Sequence, residues 1–156
     1  MKNSLLVFGT ILLATVLVSC KKNVVYVNNI DFETETWHKD STLKFEVEII
    51  DTNQVYHVFF NTRITGQYEH SNLFLFIDTD IPHMDPVRDT LECILAKDDG
   101  EWLGKGFGNI WSNKISFRKY IKFPYSGVYK FEIEQAMRTD NLPYVLDAGI
   151  SIEKAK

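Results

Sequence analysis

Leu43-Lys44-Phe45-Glu46-Val47-Glu48-Ile49 decides the fold, because every odd position is apolar and every even position is charged. Successive side chains of a strand point to opposite faces, so this order packs one face and wets the other; on a helix it would scatter the apolar groups around the axis. Tyr56, Val58 and Phe60 repeat the pattern after the turn-forming Asp51-Thr52-Asn53-Gln54, which predicts a hairpin between the two segments. Leu73 to Ile77 is apolar on both faces, so this strand is either central in its sheet or covered by a loop on its outer side, and a central strand is the expectation. Leu91, Cys93 and Leu95 share a face opposite Thr90, Glu92 and Ile94, and Asp98-Asp99-Gly100 is the turn that ends the segment.

Glycines at 100, 104, 106 and 108 then surround Trp102, a spacing that predicts bulges or close backbone approach. Ile115, Phe117, Ile121 and Phe123 share parity, with Lys119 the exception, until Pro124 removes a ladder donor. Tyr129, Phe131 and Ile133 alternate with Lys130, Glu132 and Glu134. Gln135-Ala136-Met137-Arg138 prolongs that strand or makes one helical turn before Asn141-Leu142-Pro143 breaks it. Val145 to Ile152 is the last strand, with Leu146, Ala148, Ile150 and Ile152 expected on one face. At the other end of the chain, Val25, Val27, Ile30 and Phe32 open the series. Eight or nine strands without a helical-period segment longer than a turn predict an all-β fold. The expected architecture is an antiparallel β-sandwich of two sheets with a jelly-roll winding, one domain over 25–156.

The first 24 residues follow a different logic. Lys2 precedes an apolar run from Leu5 to Leu17, and Leu17-Val18-Ser19-Cys20 follows the pattern of a lipoprotein cleavage site. The run would cover about 20 Å as a helix, short of the ~30 Å hydrocarbon core, so it is expected to be removed rather than retained. Residues 1–19 are therefore expected to be a signal peptide cut between Ser19 and Cys20. Residues 20–24 are expected to be a short tether whose Cys20 thiol carries a diacylglyceryl thioether. Two or more acyl chains suffice for stable anchoring, and no Pro/Gly/Ser-rich stalk separates this anchor from the first strand.

Charge and cysteine content narrow the function classes. The chain has a formal net charge of −4, which becomes −5 when Lys2 leaves with the signal. A mildly acidic body argues against nucleic acid as a partner. Lys21 and Lys22 are placed to meet anionic head groups beside the anchor. With Cys20 acylated, Cys93 has no intramolecular partner and reads as a small buried hydrophobe.

No motif for catalysis stands out. There is no Gly-x-Ser-x-Gly elbow, and His38, His57, His70 and His83 are too far apart for a zinc-type pair, so no metal or cofactor is implied. Asp78, Asp80, Asp85 and Asp89 form the one acidic concentration. They lack an EF-hand's glycine and terminal glutamate, and solvated loop acids are the simpler reading. Trp37, Trp102 and Trp111, with Tyr68 and Tyr125, are the candidates for an aromatic surface that stacks on sugars; the competing reading fills the ends of the core with them.

From Asp89-Thr90-Leu91-Glu92-Cys93 onward the sequence resembles the gliding-motility lipoprotein GldH family of Bacteroidetes. The resemblance continues through Leu95-Ala96, Gly100-x-Trp102-Leu103-Gly104-x-Gly106-x-Gly108 and Phe123-Pro124-x-x-Gly127-x-Tyr129-x-Phe131. It ends in Glu134-Gln135-Ala136-Met137-Arg138, Leu142-Pro143 and Asp147-x-Gly149-x-x-Ile152-Glu153. The resemblance implies an envelope lipoprotein needed for gliding in motile relatives, where the machinery overlaps with a protein-secretion system, and it implies no catalytic residue. Surface-exported lipoproteins of this phylum tend to carry an acidic cluster after the lipidated cysteine. Lys21-Lys22-Asn23 is basic instead, which favours the periplasmic face of the outer membrane. The expected function is thus a noncatalytic, outer-membrane-anchored accessory of motility or secretion that contacts other envelope proteins. The alternative is a tethered module that binds carbohydrate or peptidoglycan.

Overall fold

The structure, a computed structural model, describes residues 23–156. The expected signal segment, the Ser19–Cys20 bond and the lipidation site lie outside the described residues. Eleven strands follow in chain order: β1 Val24–Asp31, β2 Thr36–His38, β3 Leu43–Ile49, β4 Tyr56–Thr65, β5 Asn72–Asp80, β6 Val87–Ile94, β7 Lys105–Phe107, β8 Ile110–Ile121, β9 Gly127–Gln135, β10 Asn141–Pro143 and β11 Val145–Lys154. One sheet has the order β1-β11-β4-β8-β7 and the other β3-β9-β5-β6, with β10 and β2 forming a small third pair. All pairings are antiparallel.

Leaving aside the three-residue strands, the eight long ones alternate between sheets in jelly-roll order. The first, eighth, third and sixth form one sheet; the second, seventh, fourth and fifth form the other. The expected winding is therefore the one found. The pattern that predicted β3 is realised literally, with Leu43, Phe45, Val47 and Ile49 buried and the three residues between them exposed. Its inner face meets Tyr56, Val58 and Phe60 of β4 and Ala148, Ile150 and Ile152 of β11 in a single core. Each large aliphatic side chain so buried contributes about 1.5–3 kcal/mol. β5 lies between β9 and β6 and is central in its sheet, as the two-faced apolar run predicts.

Three local expectations are overturned. β3 and β4 do not form a hairpin: β3 pairs with β9, and β4 lies between β11 and β8 in the opposite sheet. A strand with one apolar face is equally satisfied by a partner across the core, about 10 Å away, as by one beside it. The turn itself is real, since the Asp51 carboxylate accepts from the backbone N–H groups of Asn53 and Gln54, but it carries the chain between sheets. In β11 a register shift between Val145 and Asp147 reverses parity, so Val145 is buried and Leu146 only partly so. After Gln135 the chain neither extends nor turns helically. Met137 N–H donates to the Gln135 side-chain oxygen, whose amide donates to the Thr139 carbonyl.

Glycine serves close approach at two places. At Gly149 any Cβ would collide with the Asn28 carbonyl oxygen across the β1–β11 ladder, and at Gly106 it would fall 2.7 Å from the Trp111 ring. The sandwich has two distinct ends. Asn23 accepts a hydrogen bond from Lys154 N–H at 2.7 Å and so pins the chain entry to the near end. The near end also carries the loops 50–55, 81–86 and 122–126, because β3, β5 and β8 finish there and β4, β6 and β9 begin there. The far end carries the β2–β10 pair and the connections 66–71 and 95–104.

Candidate functional site

The outward face of the five-stranded sheet carries a braced polar surface with an open trough. Strand parity points Asn61 and Arg63 of β4, Lys114 of β8, Ser151 and Glu153 of β11 and Asn29 of β1 to the same side. Together they line an open trough of about 790 Å³. Its polar groups are held by one another. Asn61 donates to Ser151 Oγ at 3.1 Å, and Lys114 Nζ lies 2.7 Å from a Glu153 carboxylate oxygen and 4.1 Å from the centre of the Phe59 ring.

Asp147 anchors the far half of this face. Its side chain is only 1 % exposed, although it points away from the core, because β1 and Arg63 cover it. Asn29 Nδ2 donates to one oxygen at 2.7 Å, and Arg63 Nε donates to the other. A second guanidinium nitrogen of Arg63 reaches Asp31 at 3.0 Å, and Thr62 Oγ1 donates to the Asp147 carbonyl at 2.7 Å. The hydrogen bond that Arg63 donates to the Asp147 carboxylate raises the guanidinium above its usual range. Three strands, β1, β4 and β11, are thus cross-tied by a carboxylate, a guanidinium and an amide. A buried carboxylate of this kind is tolerated because each of its oxygens accepts a hydrogen bond, one of them from a guanidinium.

The tryptophans are packed around the far end rather than gathered on an open face. Trp37 of β2 is fully buried, stacked on Phe32 at 5.3 Å and Phe60 at 6.5 Å, and its indole N–H donates to the Ser41 carbonyl at 2.9 Å. Trp102 is half-buried, bridged to Ala96 through the backbone and tilted against buried Tyr68 at 6.4 Å. Trp111 lies half-buried opposite Ile64, with its ring against Gly106. Tyr125 is at the near end, edge-on to His83 at 5.7 Å.

The histidines are likewise dispersed. His38 sits by Asp40, His57 by Tyr120, His70 by Tyr68 and His83 by Tyr125. Among the described residues no three histidine, cysteine or acidic side chains converge as metal ligands. Of the four aspartates expected in one loop only Asp85 lies in it, Asp78 and Asp80 belonging to β5 and Asp89 to β6; Arg88 binds Asp78 through Nε and Nη2, and Arg118 Nη2 lies 2.5 Å from Asp89. The Cys93 thiol is buried and pushed up to about 12 by desolvation, which keeps it protonated and unreactive at neutral pH.

Sequence reading did not single out the Asp147 network. Its signal was present, since an acid interrupts the largely apolar run from Val145 to Ile152, but the partners Asn29 and Arg63 are 118 and 84 residues away.

The fold places this chain in the class of antiparallel jelly-roll sandwich domains. Comparison with known proteins supplies the family. The profile described as GldH lipoprotein matches residues 24–152. The gliding motility lipoprotein GldH homolog of Christiangramia forsetii is 38% identical, over 99% of this chain and 99% of that protein. The gliding motility lipoprotein GldH of Flavobacterium johnsoniae is 34% identical, over 94% and 95% respectively. The chain belongs to the GldH family of gliding-motility lipoproteins, lipid-anchored proteins of the cell envelope. Among solved structures, TmCBM61 in complex with beta-1,4-galactotriose aligns with 84% of this chain and 70% of its own, at a TM-score of 0.35 and 16% identity. That likeness is too distant to bear on ligand binding.

Proposed function

We propose that this protein is a noncatalytic accessory of the gliding-motility or associated secretion machinery. Acyl chains on Cys20 hold it at the periplasmic face of the outer membrane, and the trough of its five-stranded sheet receives another envelope protein. The observation that carries the reading is the internally braced array of Asn29, Asn61, Arg63, Lys114, Asp147 and Glu153. Side chains already held in one geometry lose little entropy when a partner binds, so such a face suits recognition. The basic Lys21-Lys22 pair supports the periplasmic orientation.

Photo-crosslinking in living cells tests the reading. A crosslinker at Asn61 is expected to capture an envelope protein, whereas one at Phe76, on the outer face of the other sheet, is not. Equal capture at both positions, or glycan-array binding with no protein adduct, would sink it. Cys20→Ala is expected to leave a folded domain that no longer complements a deletion, and full complementation by that variant would count against anchoring as part of the function.

A further inference from the structure

We infer that the near end of the sandwich is a second lipid-contacting surface, which docks on the anionic phospholipid head groups around the acyl anchor and sets the domain upright. The inference rests on the proposed acylation of Cys20 and goes on to specify which loops meet the bilayer.

Chain length is the first reason. Because Asn23 is already hydrogen-bonded to Lys154, only residues 20–22 are left as a link, and three residues span at most about 10 Å. The eight residues of β1 rise about 26 Å. The near end is therefore within reach of the head groups in any pose, whereas an upright domain holds the far end well clear of them.

Surface chemistry is the second. Among the described residues, six of the twelve large exposed apolar side chains belong to this end: Ile50, Met84, Val87, Tyr120, Tyr125 and Val128. Ile50, Met84 and Tyr125 stand on three different connections and Val87, Tyr120 and Val128 on the strand ends beside them, so they form a discontinuous rim rather than one strand face. Ile50 is 80 % and Tyr120 73 % exposed. Tyr120 also holds a left-handed backbone (φ 53°) rarely adopted by a bulky side chain; its N–H donates to His57 Nδ1 and its ring stands edge-on to that imidazole at 4.6 Å. Such a conformation costs free energy and persists where the surroundings fix it. Here it keeps an amphipathic ring, of the type enriched at membrane interfaces, directed outward.

Charge is the third. Lys119, Lys122, Lys154 and Lys156 cluster about the ends of β8 and β11, and among the described residues none of them is in an ion pair. Of the basic residues further from this end, Lys114, Arg63 and Lys39 are paired with carboxylates, whereas Lys105 and Arg138 stand singly on separate far-end segments rather than in a cluster. Asp51, Asp80 and Asp85 also lie at the near end and oppose the lysines in part. Asp80 ends β5, and Asp51 and Asp85 stand on the connections that leave β3 and β5, so these acids lie toward the four-stranded sheet and the lysines toward the five-stranded one. At the far end the comparably exposed apolar residues, Ile94, Leu103 and Phe107, are confined to the β6–β8 connection.

The test uses the full lipoprotein, one copy per nanodisc of phosphatidylethanolamine and phosphatidylglycerol. An environment-sensitive dye is placed at Ile50→Cys, Tyr120→Cys or, as the far-end control, Phe107→Cys; buried Cys93 stays unlabelled. Dyes at 50 and 120 are expected to shift to the blue and to be quenched several-fold by head-group-proximal spin-labelled lipid, and the dye at 107 to do neither. Replacing Lys119 and Lys122 by Ser is expected to lower the docked-to-undocked ratio about fivefold per lysine, an effect that high salt mimics. Acylated protein whose dyes at 50 and 120 behave like that at 107 overturns the docking and leaves the anchoring intact. Burial of the dyes only with two copies per disc assigns the rim to self-association and overturns it equally. Intact mass of the mature protein separates the remaining case: if Cys20 carries no acyl chain, the anchoring fails and the docking falls with it.

Discussion

The two ends of this sandwich are finished in opposite ways. At the far end the chain seals itself, with the β2–β10 pair laying fully buried Trp37 between Phe32 and Phe60 and the Asp147–Arg63–Asp31 series tying β1, β4 and β11 together. At the near end the core is closed one layer down, by Tyr56, Phe123 and Tyr129 in edge-on contact at 5.3 and 4.7 Å, and large apolar side chains remain outside that seal. An exposed apolar side chain is unremarkable singly, but several around one end mark a surface with a use. The far end is built for stability, the near end for contact.

Trp37→Ala attacks the sealed end directly and is expected to have the largest effect, about 4 kcal/mol by loss of a fully buried indole. Chemical denaturation of the soluble domain would measure it. A loss under about 1 kcal/mol would mean that the far end is not the stability centre. Arg63→Met is next, since it leaves the Asp147 carboxylate without its charged partner. Because Arg63 is 46 % exposed, water reaches the site and the expected cost is about 2 kcal/mol rather than the full value for a buried pair. Adding Asp147→Leu should recover much of it, and failure to do so would separate the two residues energetically.

Near-end changes should be milder. The Arg88 hydrogen bond holds the Asp78 carboxyl below its ordinary value, so this pair contributes stability that is fully present above the unfolded-state pKa near 4. That contribution fades as pH falls through the lower folded-state value. Arg88→Ala is therefore expected to flatten the acid limb of the stability curve with little loss at pH 7, because water screens the half-exposed guanidinium. An unchanged acid limb would remove the pair from the account. Ile50→Ser and Tyr120→Ser are expected to change stability by less than about 0.5 kcal/mol, although both rank among the most exposed apolar residues. A substantial loss would show that the near end is core after all and erase the contrast.

Legibility in the sequence followed the range of the interaction. Alternation in β3 and β9 was readable because the side-chain period of a strand is local, and Leu73 to Ile77 announced a central strand for the same reason. The β3–β4 hairpin failed because the turn at Asp51 is local whereas the choice of partner strand is not. The parity of Leu146 failed at a bulge, where one register shift changes which face a residue occupies. Trp37 shows the same limit: a tryptophan between polar neighbours reads equally as plug or platform until the partners Phe32 and Phe60 are known.

The sequence by itself determined the eight long strands, the sheet-on-sheet class and the family resemblance, all carried by residues within a few positions of one another, whereas the three-residue strands β2, β7 and β10 exist only through their partners. Only the tertiary structure decided which strands pair, that Asp147 is buried beneath Asn29 and Arg63, and that loops from three parts of the chain share the end where Asn23 enters. Those are contacts between residues tens to more than a hundred positions apart. They are fixed by the closure of one core, and alternation, which records only which face is dry, does not encode what lies against it.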